Sequence, residues 1–318
     1  MSYDESPQSV RRRSGRSSLT VAVAALVPGA LAGWLVYQGT SGAESGGPPS
    51  ATAAGTPSVA TAPATPSPTP SADASADPSA DPDPGPPGPP LPPGRPLTGK
   101  VVVIDPGHNP TNHDHPAEIN KPVDIGTTSK ECDTTGTATD SGYAEAAFTL
   151  DVSHRLRTLL RELGATVTLT QDADRPFGPC VDERARIGNK AKADAVISVH
   201  ADGSASGNRG FHVILPALVK GGAADTAAIV GPSRELGERI AGNFARETGS
   251  APANYLGGGT GLDVREDLGG LNLSKVPKVF VECGNMRDSH DAALLTAPEW
   301  RQKAAQGLAD GIKGFLMK

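Results

Sequence analysis

The run Val101-Val-Val-Ile-Asp-Pro-Gly-His108 constrains the fold more than any other stretch of this chain. Four consecutive aliphatic residues that end in a Pro-Gly turn read as a fully buried strand, the kind found in the middle of a parallel sheet. In open α/β sheets functional side chains collect just past the carboxyl ends of such strands. His108 is expected there.

The rest of the C-terminal two thirds alternates strand and helix patterns. Strands are predicted at 100–104, 165–170, 195–199, 211–215 and 278–282, and helices at 142–163, 181–192, 232–248 and 298–316. Within 142–163, Phe148, Val152, Leu156, Leu159 and Leu163 form one apolar stripe, and Gly164 supplies a helix stop. This alternation predicts an α/β domain with a largely parallel sheet covered by helices on both faces. The segment 109–140 is long, polar and rich in Thr, Asp and Gly, and a loop of that length in a compact domain is expected to serve function.

The first third cannot build a core. The chain has 30 prolines, most of them before residue 97. Residues 1–18 are polar and carry Arg11, Arg12, Arg13 and Arg16, whereas residues 19–37 hold no charge. A basic flank before an apolar segment is the layout of an export signal. Its length approaches the roughly 20 residues of a membrane anchor, with Trp34 and Tyr37 suited to the far interface. Ser41-Gly-Ala43 leaves a cleaved signal peptide open. Residues 38–97 are Pro, Ala, Ser, Thr, Asp and Gly, too poor in large apolar side chains to offset ordering entropy, and are expected to be a disordered linker. The folded domain is then 98–318, on the outer side of the membrane. A formal charge of −6 and 4% aromatic residues argue against a nucleic-acid partner.

Four residues look out of place as core filler. His108 and His200 each follow a buried aliphatic run, so neighbouring strands can bring them together. Glu145 lies three residues before Phe148 and seven before Val152, which puts it on the buried side of its helix, where a lone carboxylate is costly unless paired or metal-bound. Two histidines and one glutamate make a three-ligand catalytic zinc set. The bland readings are hydrogen-bonded structural histidines and an exposed acid at a helix start. Glu282 ends the apolar run Val279-Phe-Val and can serve as proton acceptor and donor; alternatively it pairs with a cation such as Arg287. Of the three cysteines, Cys132 and Cys180 fall in polar surroundings and Cys283 ends a strand. In an exported domain a Cys132–Cys180 disulfide with Cys283 buried is favoured, and three free thiols are the alternative.

DPGH with His108, the helix-borne Glu145, SVHAD with His200 and VECGN with Glu282 occur in this order. Together they resemble the zinc-dependent N-acetylmuramoyl-L-alanine amidases of the Amidase_3 family, closest to actinobacterial, mycobacterial-like members. The resemblance covers roughly residues 100–316. It implies a twisted, mostly parallel sheet, one zinc ion on His108, Glu145 and His200, and Glu282 as the catalytic glutamate. The implied substrate is peptidoglycan or its muropeptide fragments, cut between N-acetylmuramic acid and L-alanine. The resemblance also supports the Cys132–Cys180 bridge.

Arg265, Asp267 and Asn272 precede the Glu282 strand and are candidates for contacts to the stem peptide. His113, Asp114 and His115 read as a solvated loop cluster, His212 as a strand residue without a ligand role, and His154 and His290 as surface or packing histidines. A monomer is expected. Two other functions fit such a domain: a zinc peptidase, which would call for further carboxylate ligands, and a silent wall-binding regulator, which would be expected to have lost ligands that are all present here.

Overall fold

The computed structural model describes residues 94–318. The basic tail at 1–18, the apolar segment at 19–37 and the linker up to residue 93 lie outside the described residues. Among the described residues no helix is long and apolar enough to cross a membrane. The fold is under way by Leu97, which is fully buried and donates its N–H to Leu163 O at 2.9 Å.

The strands in chain order are β1 (Val101–Pro106), β2 (Pro122–Asp124), β3 (Ser129–Glu131), β4 (Thr166–Leu169), β5 (Ala195–Asp202), β6 (His212–Pro216), β7 (Lys220–Gly221), β8 (Ala224–Asp225), β9 (Leu262–Arg265) and β10 (Lys278–Asn285). The helices are α1 (Pro116–Ile119), α2 (Glu145–Glu162), α3 (Val181–Lys190), α4 (Val230–Thr248), α5 (Gly269–Asn272), α6 (Ser289–Thr296) and α7 (Pro298–Leu316). Six strands form one sheet in the order β4-β1-β5-β10-β6-β9. Its first four strands are mutually parallel, β6 runs against β10, and β9 follows β6.

Helices cover both faces, unequally. On one face the long helices α2, α4 and α7 pack with Phe148, Leu156, Leu236, Phe244, Leu308 and Ile312 fully buried. The other face carries α3 and α5, with a small cluster of Val103, Ala193 and Val196 and Ile187 against it. The predicted stripe on α2 is buried at Phe148, Val152 and Leu156, and Gly164 follows the helix end at φ 97°.

Three differences from the sequence reading have physical causes. β5 and β10 do not stop at the aliphatic runs: pairing of Glu282 with His200 carries both ladders further, to Asp202 and Asn285. β9 escapes the reading because Leu-Asp-Val-Arg is a short edge strand with Val264 half exposed. Segment 109–140 holds α1 and the β2–β3 hairpin, and its far end is tied by the Cys132–Cys180 disulfide. Cys283 is buried and unpaired.

Candidate metal centre and active site

β1, β5 and β10 are sheet neighbours, and all three deliver a polar residue to the same edge. His108 lies two residues past β1, while His200 and Glu282 sit in register near the carboxyl ends of β5 and β10. Glu145 enters from the side as the first residue of α2, buried, with its N–H donating to Thr137 O at 2.9 Å. The resulting geometry is close. Glu145 Oε2 is 3.1 Å from His108 Nε2, and Glu145 Oε1 accepts from His200 Nδ1 at 2.9 Å. One donor atom from each of the three lies within 4.8 Å of the others, the one such group of three among the described residues.

The backbone makes room for this cluster. A Cβ on Gly107 would stand 2.4–2.7 Å from the His200 ring, so the imidazole occupies the space that any side chain there would fill. A Cβ on Gly136, at φ +75°, would stand 2.8 Å from both Glu145 Oε2 and His108 Cδ2. His108 itself has φ 61°, a left-handed conformation that costs a non-glycine residue about 1–2 kcal/mol. Its carbonyl is held by Gln171 Nε2 at 2.9 Å and Arg184 Nη2 at 3.1 Å. Its Nδ1 faces Thr134 O at 3.0 Å; a carbonyl can only accept, so Nδ1 carries the proton there.

The charges explain the protonation states. Burial disfavours the His108 cation, but the carboxylates of Glu145 and Asp133 outweigh it and raise the group to about 10 in the metal-free protein. Burial likewise opposes ionisation of Glu145, and His108 and His200 reverse that, holding it well below the usual carboxylate range. Glu282 is the opposite case. Burial pushes it well above its ordinary value, with Glu145 and Asp202 adding like-charge repulsion, and its Oε2 is buried without a hydrogen-bond partner. A carboxyl with an open oxygen and a raised proton affinity is suited to proton transfer.

Beside the histidines lies a cleft of about 220 Å³, lined among others by Lys130, Asp133, Asp267, Gly270 and Phe280. Phe280 stacks on His200 with ring centroids 5.3 Å apart. A larger groove of about 480 Å³ around Arg209, Ser250 and His290 shares no residue with this centre. Asp267 reaches the cleft, paired with Arg265 (2.7 and 2.8 Å) and Lys130 (3.3 Å). Asn272 does not: it is fully buried in α5 and its Nδ2 donates to Glu266 O at 2.8 Å. His113 and Asp114 are exposed, 3.4 Å apart, and His115 faces Glu118. His154 pairs with Asp172 at the surface, His290 is exposed, and His212 is buried across from Glu282 on β6.

Sequence reasoning missed the buried charges behind the centre. Asp105 accepts from Thr170 at 2.6 Å, Arg184 at 2.8 Å and Lys278 at 3.0 Å, and also from Ser198. Asp133 bonds Arg184 at 2.8 Å. A signal existed for Arg184, since it shares the inner face of α3 with Val181 and Gly188. A charged residue on an apolar face is rarely left there without partners.

Residues 102–314 match the Amidase_3 family model, described as N-acetylmuramoyl-L-alanine amidase. The chain is 42% identical over 221 residues to the N-acetylmuramoyl-L-alanine amidase Rv3717 of Mycobacterium tuberculosis, spanning 69% of this chain and 88% of that protein. Among solved structures it resembles the N-acetylmuramyl-L-alanine amidase Ami1 of Mycobacterium smegmatis, with TM-score 0.64, 42% identity and coverage of 69% of this chain and 98% of that one. Ami1 of Mycobacterium abscessus, in its apo form, matches with TM-score 0.64 and 40% identity over 69% of this chain and all of that one.

Proposed function

The chain belongs to the Amidase_3 family of N-acetylmuramoyl-L-alanine amidases, and we propose that His108, Glu145 and His200 hold its zinc ion while Glu282 moves the proton. The reaction is hydrolysis of the peptidoglycan amide that joins N-acetylmuramic acid to L-alanine. The observation that carries the zinc assignment is the convergence of two imidazoles and one carboxylate within 4.8 Å. That donor set suits zinc, with a position left open for substrate or water. When bound, the ion would polarise the scissile carbonyl and lower the pKa of water.

The chain's own residues supply the rest. The carbonyl of Thr134 keeps the His108 Nδ1 proton in place, so Nε2 is the nitrogen turned toward Glu145. Glu282, in register with His200 on the neighbouring strand, takes a proton from the attacking water and returns it to the departing amine of L-alanine. Its raised proton affinity favours the first half of that cycle, the uptake of the proton from water. The cleft beside His200 receives the stem peptide, with Asp267, Arg265 and Lys130 at its edge. The basic tail and apolar segment at 1–37 would hold a monomer on the outer side of the membrane, and 38–97 would give it reach.

The test is turnover of purified muropeptide by the full-length protein, with and without zinc, beside Glu282→Ala. Zinc-dependent release of peptides with a free L-alanine amino terminus, abolished in the variant, is expected in mass spectra. Unchanged release by the variant would remove Glu282 from this role.

A further inference from the structure

Arg184 is buried at the centre of the domain, 5% exposed, and every one of its five N–H donors is used. Nε donates to Pro179 O at 2.8 Å. Nη1 donates to Asp105 Oδ1 at 2.8 Å and Pro106 O at 2.6 Å, and Nη2 to His108 O at 3.1 Å and Asp133 Oδ2 at 2.8 Å. One guanidinium therefore grips the end of β1 and the loop at 133. It also reaches the turn before α3.

These contacts converge on one ring. Arg184 fixes the His108 backbone directly, in a left-handed conformation that is costly for a non-glycine residue. It fixes the ring indirectly, because Asp133 precedes Thr134, whose carbonyl accepts from His108 Nδ1. The free oxygen of Asp133 receives the Thr134 N–H at 2.8 Å and stands 3.6 Å from the same Nδ1. The disulfide ties the two sides covalently: Cys132 adjoins Asp133, Cys180 leads into α3, and Val181 N donates to Cys132 O at 2.7 Å.

We infer that Arg184 and Asp133 are positioning residues that hold His108 Nε2 in place for the metal, a role that rests on the zinc reading of His108, Glu145 and His200. Lysine cannot substitute for Arg184, because one ammonium has three donors and no planar fork to serve acceptors on three segments. Outer-shell partners of this kind change metal affinity by about 10–100-fold when removed.

The test measures zinc affinity by competition with a chromogenic chelator for the full-length protein, Arg184→Lys, Asp133→Asn and Leu308→Ala. The last opens a cavity in the core away from the site and controls for loss of stability alone. Both site variants are expected to bind zinc at least about tenfold more weakly, and the visible spectrum of the cobalt-substituted protein should change with them. Leu308→Ala should melt earlier yet bind zinc as the parent does. Should Arg184→Lys not fold, Asp133→Asn, close in size and shape, carries the test. Affinities within twofold of the parent in the folded site variants, or an equal loss in Leu308→Ala, would overturn the inference while leaving the zinc reading intact. A parent protein that takes up no zinc would sink both.

Discussion

Glu282 on β10 is the in-register neighbour of His200 on β5, so the proposed proton-transfer group and a proposed metal ligand are spaced by the backbone ladder of a central strand pair. Loops could drift. A parallel ladder between two buried strands leaves little freedom to either residue, which suits groups whose chemistry depends on sub-ångström placement.

That carboxylate, partly buried with its Oε2 shielded from solvent, should show itself in stability. Its proton affinity is raised in the folded chain, first by burial and then by Glu145 and Asp202. The sign follows: its contribution is intact below the ordinary glutamate range and is lost as pH rises from there. Metal-free Glu282→Gln should therefore outlast the parent at neutral pH by roughly 1–3 kcal/mol, the scale of an unpaired buried group, while losing about 10²–10⁴-fold in turnover. Thermal melts at pH 4 and 7 check it; an equal gap at both would count against the assignment.

Gly107→Ala tests the space reserved for His200. The added methyl would overlap the imidazole, and the ring must move. Circular dichroism should stay native while zinc affinity falls at least about tenfold, in line with a displaced ligand. Unchanged affinity would mean that the backbone yields instead.

Removal of the metal should lower the melting temperature. At zinc one hundred times its dissociation constant the gain is about 2.7 kcal/mol, or roughly 5–11 °C for a domain of this size. Calorimetry with and without chelator measures it, and His200→Ala should erase the difference.

The candidates for substrate contact divide by burial. Asp267→Ala should raise KM several-fold with kcat little changed, since it removes a group at the mouth of the cleft. Asn272→Ala should cost about 1–3 kcal/mol of stability instead, because its Nδ2 donates to Glu266 O inside the fold, an acceptor the variant leaves unpaired. Steady-state kinetics beside melts of both variants separate the two cases.

How much of this could be read beforehand follows from the local signal each residue leaves. His200 and Glu282 announce themselves because an ionisable residue directly after a buried aliphatic run has no packing reason to be there, and His108 because it follows such a run across a Pro-Gly turn. Glu145 is legible from helical spacing alone. Arg184 and Asp133 were passed over because α3 reads Val-Asp-Glu-Arg-Ala-Arg, where one inward charge is hidden among outward ones, and because Asp133 sits in a polar loop. Lys278 opens a strand, where a lysine ordinarily marks the exposed end; here it reaches Asp105 through the core. β9 and α6 were too short for periodicity to register.

The disulfide spans a separation of 48 residues that contains Glu145 but neither His108 nor His200. The stretch Asp172–Asp174 inside that span is exposed. A protease that cut there would divide the chain into two polypeptides, one bearing His108 and Glu145, the other His200 and Glu282. The sulfur bridge would keep the pieces joined, so such a nick would leave the four residues on one tethered particle.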